Sequence, residues 1–514
     1  MKKKLAIFSL IIMLFTSLVA CTNTNSQNNA ANNEAKNIVV GLNLYQTNLD
    51  PALEWNGWYV SMYGIGETLV KFNKNMEVEP MLSDTWEKVD DLTWKFHIRD
   101  GVKFQNSTPL TASAVKSSME RALKANPRTQ EMLNVDSIKA DGQELTITTK
   151  APHTTLLGNL ADPINSIIDT SSGEDTVAKA PVGTGPFKIK SYTDGSEVVV
   201  ERYDDYWGGK ALINQATFKY IKDDNTRSMA LQSGEIDVAN NVSINNLSLF
   251  EDKSKYTIST TTSLRIVMSY FNFNNEFLKD PAVRKAIALG VDRESYANTL
   301  LKGTAVPATG PFPGSLPFGD KNLTGYKYDA AEATKILSDA GYKDTDGDGI
   351  LEKNGKKLSL NIAVFPTRAE IPVIGEAMQA QLKEIGIDAN LKSYETVNPI
   401  LKSGDFDLCL YNVNTATTGD PQSFLELYFR TSGSTNFGKY SNANVDALID
   451  EYKNEYDTEK RYDIATKVQQ TLIDDNAGLF LVTPMSNRAS KNTVSGMEVY
   501  PIDFYMLDNK VDIK

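Results

Sequence analysis

The stretch Met1–Cys21 decides the compartment in which everything after it has to fold. Lys2, Lys3 and Lys4 precede an apolar run from Leu5 to Leu18, which Val19, Ala20 and Cys21 close. A basic head, an apolar middle and small residues before a cut describe a secretory signal over 1–20. A cysteine directly after the small residues is the lipobox pattern, so Cys21 is expected to carry diacylglycerol and to begin the mature chain. The run is shorter than the about 20 residues that a bilayer-crossing helix needs. The remaining chain is expected to be extracytoplasmic and anchored to the cell membrane by its N-terminal lipid.

That anchor leaves no covalent staple. The sequence has two cysteines; with Cys21 acylated, Cys409 has no partner and no internal disulfide forms. Cys409 stands in Phe406-Asp407-Leu408-Cys409-Leu410-Tyr411 and reads as a buried strand residue. The fold must therefore rest on its core, and 22 Tyr, 20 Phe and 5 Trp supply one, with enough left for an aromatic-lined cleft. A chain of 514 residues implies two or three domains. Removing the three leader lysines leaves 50 basic against 65 acidic side chains. That balance excludes a general nucleic-acid binder, which would carry a basic stripe.

Residues 21–36 are rich in Asn, Ala and Thr and are expected to be a flexible tether. Order is expected from the strand Ile38 to Leu42. Trp55, Trp58 and Tyr59 follow beside a turn. Alternation of Leu92, Trp94, Phe96 and Ile98, and again of Leu145, Ile147 and Thr149, predicts half-buried strands. Between them Thr111 predicts an N-cap for a helix to Leu123. Helices are expected at 227–233, at 281–289 with Pro281 in the first turn, and at 329–340, 374–385 and 462–474. Strands are expected at 188–192, 198–200, 267–271, 358–362, 388–391, 407–411 and 479–482. No internal repeat and no second hydrophobic span occurs.

Several stretches carry a resemblance. They are Glu79-Pro80-Met81-Leu82-Ser83-Asp84-Thr85-Trp86, Trp94 to Phe104, Gly183-Thr184-Gly185-Pro186-Phe187, and Arg202 with Tyr206-Trp207-Gly208-Gly209. Ser233-Gly234-Glu235-Ile236-Asp237, Asp280-Pro281-Ala282-Val283-Arg284-Lys285-Ala286-Ile287 and Asp292-Arg293 complete the set. In this order they resemble solute-binding family 5 of ABC importers, the peptide and nickel class. The resemblance implies an α/β, two-lobed periplasmic-binding-protein-like fold with an extra subdomain in lobe I and a ligand cleft between the lobes. Lobe I would comprise 37–263 plus 485–514, with a subdomain at about 75–180, and lobe II would comprise 264–484. The implied function is capture of oligopeptides or peptide-like solutes and delivery to a permease and its ATPase, without chemical change. A nickel- or other metal-chelate cargo is the alternative, and an exported hydrolase a remote one. A monomer without cofactor is expected.

Peptide-binding members hold the ligand ammonium with an Asp four residues before the Pro of a DP or EP turn. That turn here is Asp420-Pro421, and the upstream residue is Thr417. A hydroxyl cannot supply the charge-assisted bond that an ammonium needs. Asp420 is then the nearest acid, or the ligand has no free amino terminus there. Nickel members commonly carry a His after the turn, where Gln422 stands. With His97 and His153 the only imidazoles, a site built from imidazoles is not expected. A chelate held through its carboxylates would need arginine, and Arg265 and Arg368 are the candidates. Trp55, Trp58 and Tyr59, the amides Asn240, Asn241, Asn412 and Asn414, and Tyr411 map to the cleft by the same resemblance.

Asp344, Asp346 and Asp348 with Gly349 imitate the start of a calcium loop, with Glu352 at position 9. Position 12 is Gly355 rather than the required Glu. No P-loop, G-x-S-x-G or H-E-x-x-H occurs, so nucleophile and metal hydrolase chemistries have little to build on.

Overall fold

Ile38, Val40 and Leu42 point into the core from the strand Asn37–Leu42, which runs through one half of a twelve-stranded sheet. The computed structural model describes residues 35–514; the lipobox with Cys21 and most of the expected tether lie outside the described residues. Asn37–Leu42 pairs in parallel with Gln215–Tyr220 on one side and Val238–Asn240 on the other. The last two are joined by the helix Asp224–Ser233, so the 227–238 stretch closes a parallel crossover. The antiparallel strands Glu197–Arg202 and Phe187–Thr193 complete this half. In the other half, Ser359–Val364 lies parallel between Asp388–Ser393 and Leu408–Asn414, with the helix Glu370–Glu384 as connection. Arg265–Phe271 is antiparallel to Leu408–Asn414.

One strand belongs to both halves. Gly478–Lys491 pairs with Arg265–Phe271 through its first residues, from Gly478 to Val482. From Met485 onward it pairs with Tyr256–Thr262 and Val238–Asn240. Pro484 marks the change of partner, a position where a residue without an amide hydrogen is tolerated. The strand was expected only over 479–482, and the expected lobe boundary at 484/485 falls inside it. Ser263 ties the two passages together, its amide (3.1 Å) and hydroxyl (2.6 Å) both donating to the Pro484 carbonyl. The molecule is thus a two-lobed α/β fold whose halves meet at two adjacent chain crossings.

A separate four-stranded sheet, in the order Ser83–Lys88, Thr93–Ile98, Glu144–Thr149, Val135–Asp141, packs under the helix Ala112–Ala125. Thr111 caps that helix by accepting from the Ala114 amide, as its sequence predicts. A turn runs up to Trp55, as expected, and is followed by the helix Asn56–Met62, whose N-cap Trp55 makes no side-chain capping bond.

The motif residues of the first lobe converge on a buried carboxylate. Glu67 accepts hydrogen bonds from Thr184 Oγ1 (2.8 Å), Tyr206 OH (2.6 Å) and Trp207 Nε1 (2.8 Å). Burial raises its pKa and these donors pull it back. Thr184 comes from Gly183–Phe187 and the aromatics from Tyr206–Gly209, so three separated segments are fixed around one side chain. Among the described residues no helix is long and apolar enough to cross a membrane.

Candidate ligand cleft

The crossing near residue 264 positions the first candidate. The Leu264 amide donates to the Pro501 carbonyl (3.1 Å), and Leu264 O accepts from the Thr415 amide and hydroxyl. Arg265 therefore emerges between the C-terminal segment and the end of Leu408–Asn414, directly opposite Asn414 in the ladder. Its Nη1 donates to Asn412 Oδ1 (3.1 Å), and Asn412 Nδ2 donates to Glu370 Oε1 (2.5 Å). Burial, and then repulsion from Arg368, pushes the Arg265 pKa down to about 10. Arg368 itself is exposed. The structure thus brings together Arg265, Arg368, Tyr411 and Asn412 from the predicted set, with Asn414 beside them.

Two charged groups in this cluster escaped the sequence reading. Arg488, on the shared strand, is 5% exposed and donates through Nε to Asn240 Oδ1 (3.3 Å) and through Nη1 to Glu498 O (3.0 Å). Among the described residues no carboxylate bonds to it, and burial lowers its pKa to about 10. Asp503 lies between buried Ile502 and Phe504, yet solvent reaches it. Its pKa is raised, desolvation first among the causes, and the charges of Arg265, Arg488 and Arg368 act against that rise.

The aromatic candidates divide. The Trp58 ring lies 4.9 Å from Phe504, and its buried Nε1 is directed toward Asp162. Tyr59 neighbours Asp503 and Tyr220, and burial followed by the Asp503 charge raises its pKa to about 12. Trp55 is 56% exposed and edges onto Trp58, with the Arg128 guanidinium 4.2 Å from its ring centre. Tyr59 thus lies beside the Asp503 charge, Trp58 against Phe504, and Trp55 against Arg128.

Other candidates are engaged elsewhere. Asn240 is buried and positions Arg488 rather than presenting its amide to the cleft. Asn241 adopts φ 53° and accepts from Arg227 Nη2 through its carbonyl (2.8 Å). Asp420 Oδ2 accepts from Arg461 Nη2 (2.6 Å) and Tyr452 OH (2.9 Å), while Oδ1 takes the Gln422 amide (2.8 Å). Its charge is already neutralised by a buried guanidinium, so it is not free for an ammonium. Cys409 is buried, and burial raises the pKa of its thiol. His97 pairs with Asp84 (2.7 Å) and His153 with Met132 O (2.7 Å).

At the calcium-like loop, carboxylate oxygens of Asp344, Asp346, Asp348 and Glu352 lie within 4.8 Å of one another. The Lys357 ammonium bridges Asp346 (2.9 Å) and Asp348, and Glu352 is used by the Thr345 amide and hydroxyl. A lysine thus already supplies a positive charge to this loop.

Against known proteins, the model of the bacterial extracellular solute-binding proteins, family 5 (middle region), matches residues 77–436. The nickel-binding protein NikA of Staphylococcus aureus is 29% identical over 88% of this chain and 89% of its own length. A crystal structure of NikA from that species in complex with Ni(L-His)2 superposes with TM-score 0.74 at 28% identity, covering 93% of this chain and all of that one. The oligopeptide-binding protein AppA of Bacillus subtilis is 27% identical over 97% of both chains. The crystal structure of a nickel ABC transporter protein from Bacillus halodurans superposes with TM-score 0.84 at 30% identity, covering 93% of this chain and all of that one.

Proposed function

Because the chain belongs to family 5 of the bacterial extracellular solute-binding proteins, we propose that it is the capture subunit of an ABC importer, specialised for a small carboxylate-bearing solute. The observation that carries this reading is the guanidinium cluster of the cleft: Arg265 and Arg368 stand beside each other without an ion pair to either among the described residues. Two like charges placed near one another, Arg265 half-buried and Arg368 exposed, favour an anionic guest, for which a guanidinium offers bidentate hydrogen bonds. Trp58, Tyr59 and Tyr411 would pack on the guest, and Asn412 and Asn414 would complete its polar contacts.

In this reading residues 37–263 and 485–514 form lobe I, with 75–180 as its subdomain, and 264–484 form lobe II. The lobes close about the crossings at Ser263 and Pro484, a population shift driven by contacts from both sides. Cys21 carries the lipid that keeps the protein at the outer face of the membrane, where as a monomer it meets permease and ATPase subunits. The guest leaves unaltered.

Two cargo classes fit, a peptide or a metal chelate, as in the relatives AppA and NikA. The engagement of Asp420 by Arg461 favours the chelate, since the acid nearest the expected ammonium site is taken. Native mass spectrometry of the purified protein tests the proposal by the mass of a co-bound solute. Arg368→Ala is expected to weaken that solute, by roughly 2–5 kcal/mol where lobe closure desolvates the pair. Unchanged affinity would assign Arg368 to the surface alone.

A further inference from the structure

Arg488 also bounds a second cavity. In the ladder between Tyr256–Thr262 and Gly478–Lys491, Ser259 stands opposite Arg488 and Thr257 opposite Ser490. Side chains two apart in a strand share a face, so the guanidinium and three hydroxyls lie on one side of this pair of strands. The segment from Val494 to Val499 faces them across a cavity of about 480 Å³, which Lys74 borders as well. That segment is held in place. Val494 and Ser495 pair with Ile513 and Asp512. Gly496, at φ 77°, passes so near Lys510 that a Cβ would lie 2.3 Å from its carbonyl oxygen.

The polar groups of this cavity are unevenly satisfied. Arg488 is 5% exposed, and its Nε and Nη1 are spent on Asn240 Oδ1 (3.3 Å) and the Glu498 carbonyl (3.0 Å). Its Nη2 makes no hydrogen bond among the described residues, and solvent reaches it. The same holds for the hydroxyls of half-buried Ser259 and of Ser490, which is 8% exposed. Thr257 gives its proton to Asn492 Oδ1 (2.7 Å). The acid of the lining is Glu498, whose exposed carboxylate is paired with Lys74 (2.7 Å). A guanidinium fixed by two neutral acceptors thus keeps one nitrogen over, beside hydroxyl donors and away from any free carboxylate of the lining.

A buried cation without a bonded counter-charge carries a desolvation cost that an entering anion would offset. We infer that this cavity is a second ligand site, for an oxyanion of the phosphate type. Arg488 Nη2 and the hydroxyls of Ser259 and Ser490 would donate to its oxygens, with Lys74 at the rim. Donors arriving from three chain segments suit a tetrahedral oxyanion, with acceptors in several directions, better than a planar carboxylate. The site lies outside the cargo reading, since Arg265, Arg368 and Asp503 take no part in its lining. Its two strands run on into the crossings at Ser263 and Pro484, so a bound anion would tie them together just before the lobes part.

The test is calorimetric titration of the purified protein, exchanged into phosphate-free buffer, with inorganic phosphate and in parallel with acetate. The native protein is expected to bind phosphate, to gain in urea midpoint with it, and to bind acetate at least tenfold more weakly. Ser259→Asp sets a carboxylate across the ladder from Arg488, where it takes the place of the anion. It is expected to weaken phosphate tenfold or more, with its urea midpoint in phosphate-free buffer no lower than the native one. Arg488→Gln is expected to show the same loss; should that variant fail to fold, Ser259→Asp still decides. Arg368→Ala reports on the cargo cleft and is expected to bind phosphate within twofold of native. A native protein that does not bind phosphate overturns the inference. Binding that Ser259→Asp leaves unchanged overturns it too, marking an adventitious ion only. Loss of phosphate in Arg368→Ala instead would put the anion in the cargo cleft, and acetate held as tightly as phosphate would overturn the assignment to a tetrahedral oxyanion.

Discussion

Gly158 and Thr418 approach so closely that a Cβ on the glycine would lie 2.1 Å from the threonine carbonyl oxygen. Gly158 sits in the helix Leu156–Leu160, and Thr418 in the loop that leads to Asp420 and Pro421. Glycine inside a helix is unfavourable by about 1 kcal/mol relative to alanine, so its presence here is explained by the approach and not by the helix. Nearby, Thr154 Oγ1 donates to Gln422 Oε1 at 3.2 Å, and a Cβ on Gly419 would lie 2.6 Å from the Met76 carbonyl. These contacts join the two halves of the fold on one side of the cleft.

If closure brings these surfaces together, Gly158→Ala holds them apart. The co-bound solute is expected to bind about tenfold more weakly, roughly 1.4 kcal/mol, while the unfolding midpoint stays within a degree or two. Small-angle scattering with saturating solute should report a larger radius of gyration than for the native protein. A large fall in the unfolding midpoint would mean that the contact is permanent and not part of closure.

Asp420 yields the opposite pattern. Arg461 is 6% exposed, and among the described residues its guanidinium bonds, besides Asp420, to the carbonyls of Tyr452 and Glu455. Asp420→Ala leaves that guanidinium buried without its counter-charge, a change that typically costs roughly 3–5 kcal/mol. Urea unfolding should show this loss, while calorimetry on the folded protein finds the solute affinity within twofold of native. A loss of affinity with stability intact would return Asp420 to the cleft.

How much of this was legible beforehand depends on the range of the interactions. Thr111 before its helix, and Pro281 after Asp280, announce themselves because cap and helix are neighbours in sequence. The helix Asn56–Met62 has no capping side chain, and its aromatics read equally well as a loop. Gly478–Lys491 was half seen: its first residues are continuously apolar, whereas Met485–Asn487 are half-buried and carry no alternating pattern. Asp503 was missed for a deeper reason. Nothing between Tyr500 and Tyr505 distinguishes it, since its surroundings are supplied by arginines far away in the chain.

The lipobox gives a prediction independent of the cleft. Replacing Cys21 by Ala removes the thiol that would be acylated, and without an apolar run long enough to span a bilayer the protein should then leave the membrane fraction. Fractionation with an antibody against the protein checks it: the variant is expected in the medium or periplasm, the native protein with the membrane. A variant that stays membrane-bound refutes the lipid anchor.

Acid sensitivity should be traceable to Asp280, which opens the helix Pro281–Gly290. Its Oδ1 accepts from the Ala282 amide (3.0 Å) and its Oδ2 from Lys353 Nζ (2.9 Å) and Tyr342 OH (3.1 Å). Burial pushes the carboxyl up, but the Lys353 ammonium, the amide and the phenol outweigh it and hold the pKa below the usual carboxylate range. The unfolded chain, with a pKa near 3.9, therefore binds this proton more readily than the folded one. The carboxylate's contribution is fully present above that unfolded value and disappears as pH falls through the lower folded value. Asp280→Asn is accordingly expected to cost about 1–2 kcal/mol at pH 7, with the gap between variant and native narrowing steadily below about pH 4. Urea titrations at a series of pH values measure both curves, and a gap that persists undiminished in acid would show that the side chain acts through shape and not through its charge.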